Sequence, residues 1–111
     1  MKKINPLDDS LKAVGYTNTE ERIEFKVDIA FRLFCHNENL ISIDIPEGVK
    51  EIYCWNNLLT ELKLPENVRE LYCHNNLLTE LNIPSSIKII QCDKSVLGLD
   101  KIDGDCNIKL F

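Results

Sequence analysis

LFCHNENLISIDIPEGVKE from Leu33, IYCWNNLLTELKLPENVRE from Ile52 and LYCHNNLLTELNIPSSIKI from Leu71 are one phrase written three times, and IQCDKSVLGL from Ile90 begins it again. Each step is 19 residues. Within a step an apolar residue comes first, cysteine is third (Cys35, Cys54, Cys73, Cys92) and leucine is eighth (Leu40, Leu59, Leu78, Leu97), while Pro46, Pro65 and Pro84 close the second half. A fixed period of this length means a solenoid, because one such unit cannot bury its apolar face alone and stacks on its neighbours to do so. In each unit the opening L-x-C is a strand whose first and third residues point into the core while the residues between point out. Stacked in register, these strands make a parallel sheet. The second half, as in Leu59 to Pro65, buries leucine again and turns at the proline. It is too short for a helix, so the convex side is expected to be extended or of polyproline type.

The pattern from Val49, V-x-x-I-x-C-x-x-N-x-L, starts again at Val68. It resembles the leucine-rich-repeat template L-x-x-L-x-L-x-x-N-x-L with cysteine in one leucine slot. Over roughly residues 40–92 the short, proline-punctuated form is similar to the repeats of secreted bacterial effector proteins of the LP-rich class. The resemblance implies an α/β-type solenoid, here mostly β: a short leucine-rich-repeat array with a parallel sheet, an extended convex side and non-repeat caps at both ends. It also implies a task for Asn57 and Asn76, whose amides would hydrogen-bond backbone groups left unpaired where the chain turns out of the strand. Glu38 and Ser95 hold that slot at the two ends, so the asparagine ladder is expected only in the middle.

Either side of the repeats the pattern changes. Residues 5–15 carry helix signals: Asn5 as N-cap, Pro6 at the first turn, Asp8 and Asp9 near the positive end, and Leu7, Leu11 and Val14 on one stripe, with Gly15 to close. From Arg22 to Arg32 the alternation of Ile23, Phe25, Val27, Ile29 and Phe31 with polar residues reads as one strand. Residues 1–32 are thus expected to cap the open end of the repeat core, residues 33–99 to be the repeats, and residues 100–111 to close the far end with a turn at Asp103-Gly104 and a last short strand. The whole chain, residues 1–111, is read as one domain, since 111 residues leave no room for a repeat array and a separate catalytic module.

The formal charge of −5 argues against general nucleic-acid affinity, which needs clustered lysine and arginine. No apolar run approaches the ~20 residues of a membrane span. The charged start at Lys2 and Lys3 runs into Asp8, Asp9 and Lys12 rather than an apolar segment, so a secretory signal is not expected and a cytoplasmic location is. Export without a cleaved signal, or delivery to a host cell, stays open. Five cysteines leave one over in any disulfide scheme, and four share one inward slot, so free thiols in a reducing compartment are expected.

Neither metal, cofactor nor catalytic chemistry is expected. Zinc sites use close C-x₂₋₄-C spacings that are absent here, and cysteine is a small hydrophobe suited to an interior slot. His36 and His74 point away from the thiols and stand two rungs apart, ~9.6 Å, with Trp55 between. No serine or acid is placed to complete a nucleophilic relay. Cys106 lies outside the column and is the candidate for an exposed thiol.

The outward slots of the strands remain. Side by side they present Phe34, Tyr53 and Tyr72, then His36, Trp55 and His74, then Asn56 and Asn75, a surface rich in the residue types of interaction hot spots. Cross-strand ring pairs also stabilise a sheet by ~0.2–1 kcal/mol each, and the cap could lie across this face. The expectation is a non-enzymatic protein–protein interaction module that binds a protein partner through Phe34, His36, Tyr53, Trp55, Asn56, Tyr72, His74 and Asn75. The alternatives are a structural or self-associating subunit, or carbohydrate binding. Oligomeric state is open.

Overall fold

The structure, a computed structural model, describes residues 11–96 and 106–111. Among these there are eight strands and no helix: β1 (Lys12–Thr17), β2 (Arg22–Lys26), β3 (Arg32–Phe34), β4 (Leu40–Asp44), β5 (Glu51–Tyr53), β6 (Glu70–Tyr72), β7 (Ile89–Cys92) and β8 (Asn107–Leu110). They form a five-stranded parallel sheet of order β3-β5-β6-β7-β8 and a three-stranded sheet of order β2-β1-β4. The fold is a mostly-β solenoid of roughly four turns, and the described residues do not form the expected α/β type. A rung of 19 residues leaves no length for a convex helix once a strand and two turns are made.

The register follows the repeat. Leu33 pairs with Ile52, Ile52 with Leu71, and Leu71 with Ile90. Backbone bonds carry the pairing past the strand ends, as in Cys54 N to Tyr72 O at 2.9 Å and Arg69 N to Lys50 O at 2.7 Å. The core is therefore a set of columns running through the rungs: Val49, Val68 and Ile87; Leu33, Ile52, Leu71 and Ile90; Leu40, Leu59 and Leu78; and Cys35, Cys54, Cys73 and Cys92, all buried. The four column thiols are free, as expected of an interior slot. Burial pushes Cys35 up to about 12 and Cys92 to about 11, so these thiols stay protonated packing groups.

The start of the chain departs from expectation. Residues 11–15 belong to no helix; the rest of that expected helix, with Leu7, lies outside the described residues. Leu11, Ala13, Gly15 and Thr17 alternate as buried positions, a period of two. A strand here wins because β1 gains antiparallel partners on both sides, β2 and β4, whereas a short helix would gain only its apolar stripe. Gly15 is no helix stop. A Cβ there would lie 2.8 Å from Leu40 Cδ2 and 3.2 Å from both Ile43 Cδ1 and Phe25 Cε2, so its absence lets β1 lie close on β4. The strand expected over residues 22–32 is also broken. Asp28 Oδ1 accepts from Ala30 N and Arg32 N, Phe31 takes φ 62°, and Ile29 stands 68% exposed at the tip of the turn. An aspartate that bonds backbone two and four residues on competes with continued strand.

At the far end β8 is a fifth rung, with Ile108 against Ile90 and Leu110 against Cys92. The expected turn at Asp103-Gly104, along with Leu97 and Leu99, lies outside the described residues.

Candidate functional site

Strand alternation settles which side chains leave the sheet. With Leu33, Ile52, Leu71 and the cysteines inside, Phe34, Tyr53 and Tyr72 project from one outward slot and His36, Trp55 and His74 from the next. The rungs bring them into two files. In the first, Phe34 stacks on Tyr53 at 4.6 Å between centroids and Tyr53 on Tyr72 at 4.7 Å. In the second, His36 stacks on Trp55 at 4.1 Å and Trp55 lies parallel to His74 at 5.8 Å. Across one strand the files are turned nearly square, Tyr53 to Trp55 at 77°. A groove of about 420 Å³ runs between them, lined by Tyr53, Trp55, Tyr72, His74, Gln91 and Phe111. No residue of β1 or β2 is among the lining, since those strands pair with each other and with β4.

Phe111 was not anticipated. It stacks on His74 at 4.0 Å although β6 and β8 are two rungs apart. The slot between belongs to Asp93, and Asp93 has turned away: its Oδ1 accepts from Asn75 N at 2.9 Å and its Oδ2 from Asn76 N at 3.3 Å. The vacated place lets Phe111 lean across. The signal was present in Ile108-Lys109-Leu110-Phe111, which repeats the apolar-x-apolar-ring order of Leu71-Tyr72-Cys73-His74 at a shortened step.

Two asparagine files flank the rings. Asn57, inside, accepts at Oδ1 from Glu38 N and Leu40 N, both 3.0 Å, and donates from Nδ2 to Cys35 O at 2.9 Å and Cys54 O at 3.0 Å. Asn76 likewise accepts from Leu59 N and donates to Cys54 O and Cys73 O. Where the ladder was expected to stop, at Ser95, the Asp93 carboxylate continues it by accepting backbone N–H groups. The outer file is a second ladder. Asn56 Nδ2 donates to Asn37 Oδ1 at 2.8 Å and Asn75 Nδ2 donates to Asn56 Oδ1. Asn37, Asn56 and Asn75 sit at φ 56–58°, a left-handed backbone that asparagine tolerates better than most residues. Asn56 and Asn75 therefore shape the turn beside the rings, with their amides largely engaged by one another.

The charges lie at the rim. Tyr53 and Tyr72 donate their hydroxyls to Glu51 Oε1 and Glu70 Oε1, each at 2.6 Å. Burial, the bond to glutamate and the nearby carboxylates all raise the phenols, Tyr72 to about 12 and Tyr53 further, so both remain neutral donors. His74 is held below the ordinary imidazole value, chiefly by burial, with Asp93 opposing and Lys109 adding to the effect. His36 Nδ1 and His74 Nδ1 are buried without a hydrogen-bond partner among the described residues. The outer ends of the files carry cations: Arg32 over Phe34 at 5.3 Å and Lys109 over Phe111 at 5.0 Å. Among the described residues no three of His, Cys, Asp and Glu gather as a metal site would require. No helix among them is long and apolar enough to cross a membrane.

A concavity of similar volume lies on the convex side, lined by the second halves of the first two full rungs around Ile43, Ile45 and Leu64. Among the described residues no hydrogen bond or ion pair joins the charged residues on its walls, and its lining holds no aromatic ring. Comparisons of the chain with protein-family models, with curated proteins and with solved structures return no match.

Proposed function

We propose that this chain is a non-enzymatic interaction module that binds a protein partner through the ring face, with Tyr53, Trp55, Tyr72 and His74 at its centre. One observation carries the reading: four large rings are held half-exposed and rigid around an open groove. Rings that are already ordered contribute contact area at little further entropic cost, and hot spots concentrate in tryptophan and tyrosine. Phe34, His36, Asn56 and Asn75 are placed at the margin. Phe111 joins the centre.

The repeat phrase and the inner asparagine ladder support placing the array with short leucine-rich repeats of the LP-rich, effector-like kind, and four buried free thiols suit a reducing compartment such as the cytoplasm. Carbohydrate binding is the weaker alternative. Sugars stack on open ring faces, whereas here each ring's face is set against its neighbour, and Arg32 and Lys109 cover the ends of the files. Self-association has an observation in its favour, the outer edge of β8, which among the described residues has one neighbour and exposes Ile108 and Leu110.

The test is capture of partners by the intact protein and by Trp55→Ala, with melting curves of both. The reading expects association to weaken by ~2 kcal/mol or more while stability changes little. A sharp fall in melting temperature with association untouched would show the rings to be structural.

A further inference from the structure

The groove is apolar, but beside its two tyrosines the rim carries a pair of carboxylates, Glu51 and Glu70. Glu51 and Glu70 are register partners on adjacent parallel strands, which puts their Cα atoms ~4.8 Å apart. Like charges so placed repel. Each carboxylate accepts one tyrosine hydroxyl through Oε1, and among the described residues neither has an ion-pair partner. The outward column they belong to continues to Arg32 on one side and Ile89 on the other. Arg32 feels the Glu51 charge but makes its ion pair elsewhere, through Nε to Asp28 Oδ2 at 2.8 Å, and Glu70 lies a rung further away.

The molecule itself shows what suits such a place. At one end of the first file a cation lies over a ring beside a glutamate: Arg32 over Phe34, with Glu51 in register. At the end of the second file Lys109 lies over Phe111. Guanidinium and ammonium groups are attracted to ring faces, while their alkyl stems lie along apolar surface. The middle rungs repeat the ring-and-glutamate arrangement at Tyr53 and Tyr72, whose faces are stacked on their neighbours, so that a cation there would meet the carboxylates while its stem lies along the rings.

Resting on the reading of the ring face as a binding surface, we propose that its occupant is a basic segment of a protein partner: an arginine or lysine stem lies in the groove along Tyr53 and Tyr72, and its cation meets the Glu51 and Glu70 carboxylates. The fit is electrostatic as well as steric. The occupant supplies positive charge to two in-register carboxylates that make no ion pair among the described residues, and the acidic balance of the chain, −5, favours encounter with a basic partner.

Trp55 is the only tryptophan and lines the groove, so its emission reports occupancy directly. The experiment titrates the full chain with a short synthetic peptide alternating arginine and serine, with the same peptide carrying neutral citrulline for arginine, and with a neutral peptide alternating leucine and serine. Each titration is repeated on Glu51→Gln/Glu70→Gln, in which the amide oxygen still accepts the tyrosine hydroxyl. A melting curve confirms that this variant is folded, and the single substitutions serve if it is not. The arginine peptide should give a saturable change in emission. Affinity should fall tenfold or more with citrulline, and by a similar factor in the glutamine variant, with added salt weakening the wild-type binding. Saturable binding of the neutral peptide that equals or exceeds that of the arginine peptide, unchanged in the glutamine variant, overturns the basic occupant and leaves the ring face as a binding surface. Absence of a saturable change with the arginine peptide overturns the inference as well; the ring-face reading then stands or falls on the Trp55→Ala capture.

Discussion

Replacing Asn57 by alanine removes the side chain that finishes the backbone bonding between two rungs. Its amide holds four main-chain groups at 2.9–3.0 Å: Glu38 N, Leu40 N, Cys35 O and Cys54 O. The residue is only 6% exposed, so water cannot freely replace it. At about 1 kcal/mol net for each bond, Asn57→Ala should destabilise by about 4 kcal/mol. Asn76 holds three such groups, Leu59 N, Cys54 O and Cys73 O, and is less buried, so about 3 kcal/mol is expected there. The control is the neighbouring asparagine, which looks equivalent in sequence. Among the described residues the Asn56 side chain bonds only to the side chains of Asn37 and Asn75 at the surface, and its φ is 56°. Asn56→Gly keeps that backbone without strain and should change stability by less than ~0.5 kcal/mol, whereas Asn56→Ala adds ~1 kcal/mol of left-handed strain. Urea unfolding at constant slope measures all four. Equal, small effects for Asn57→Ala and Asn56→Gly would refute the claim that the inner amide carries the backbone through the turn.

Three further outcomes are expected. Burial raises all four column thiols, Cys35 to about 12, Cys92 to about 11, and Cys54 and Cys73 well above the ordinary value. An unfolded thiol ionises near pH ~8.5, so above that the unfolded chain binds fewer protons than the folded one and stability falls as pH rises, by ~1.4 kcal/mol per thiol per pH unit until the folded value is reached. Melting temperature should thus hold below about pH 8.5 and drop steeply toward pH ~11; a flat profile there would contradict the buried column. Phe111→Ala should let the His74 pKa rise, since burial is what lowers it, and NMR titration reads this directly. Because a neutral folded imidazole loses stability as pH falls below ~6.5, the same variant should be less sensitive to acid; an unmoved His74 titration would show that the Phe111 stack does not form. Gly15→Ala should destabilise by ~1–3 kcal/mol in thermal unfolding, because its Cβ meets Leu40, Ile43 and Phe25 together; an unchanged curve would mean β1 does not lie close on β4.

What could be read from the residues was what the period dictates. A strict step of 19 assigns Leu33, Ile52 and Leu71 to one column and Tyr53 and Tyr72 to another, and strand alternation then decides inside from outside. Interactions that break the period were not legible. The β1 strand draws its stability from β4, a partner distant in sequence, while Asn5, Pro6 and Gly15 sent local helix signals. The turn at Asp28 depended on one carboxylate choosing backbone over solvent. Asp93 and Phe111 exchange places relative to the repeat: the acid drops back to continue the asparagine ladder and the ring two rungs' distance from His74 fills the gap. Asn56 and Asn57 look alike as letters, yet one serves the turn by its left-handed backbone and the other by its amide.

Both the core and the ring face rest on one assignment, that the third residue of each repeat (Cys35, Cys54, Cys73, Cys92) points inward and the residues either side of it outward. Thiol labelling of the native protein followed by peptide mapping tests it most directly. Cys106, half-buried and outside the column, should label fast, while Cys35, Cys54, Cys73 and Cys92 should label only as the protein unfolds. If Cys54 or Cys73 labels in the native state as fast as Cys106, the strands face the other way, Tyr53, Trp55 and Tyr72 are interior residues, and the binding face does not exist.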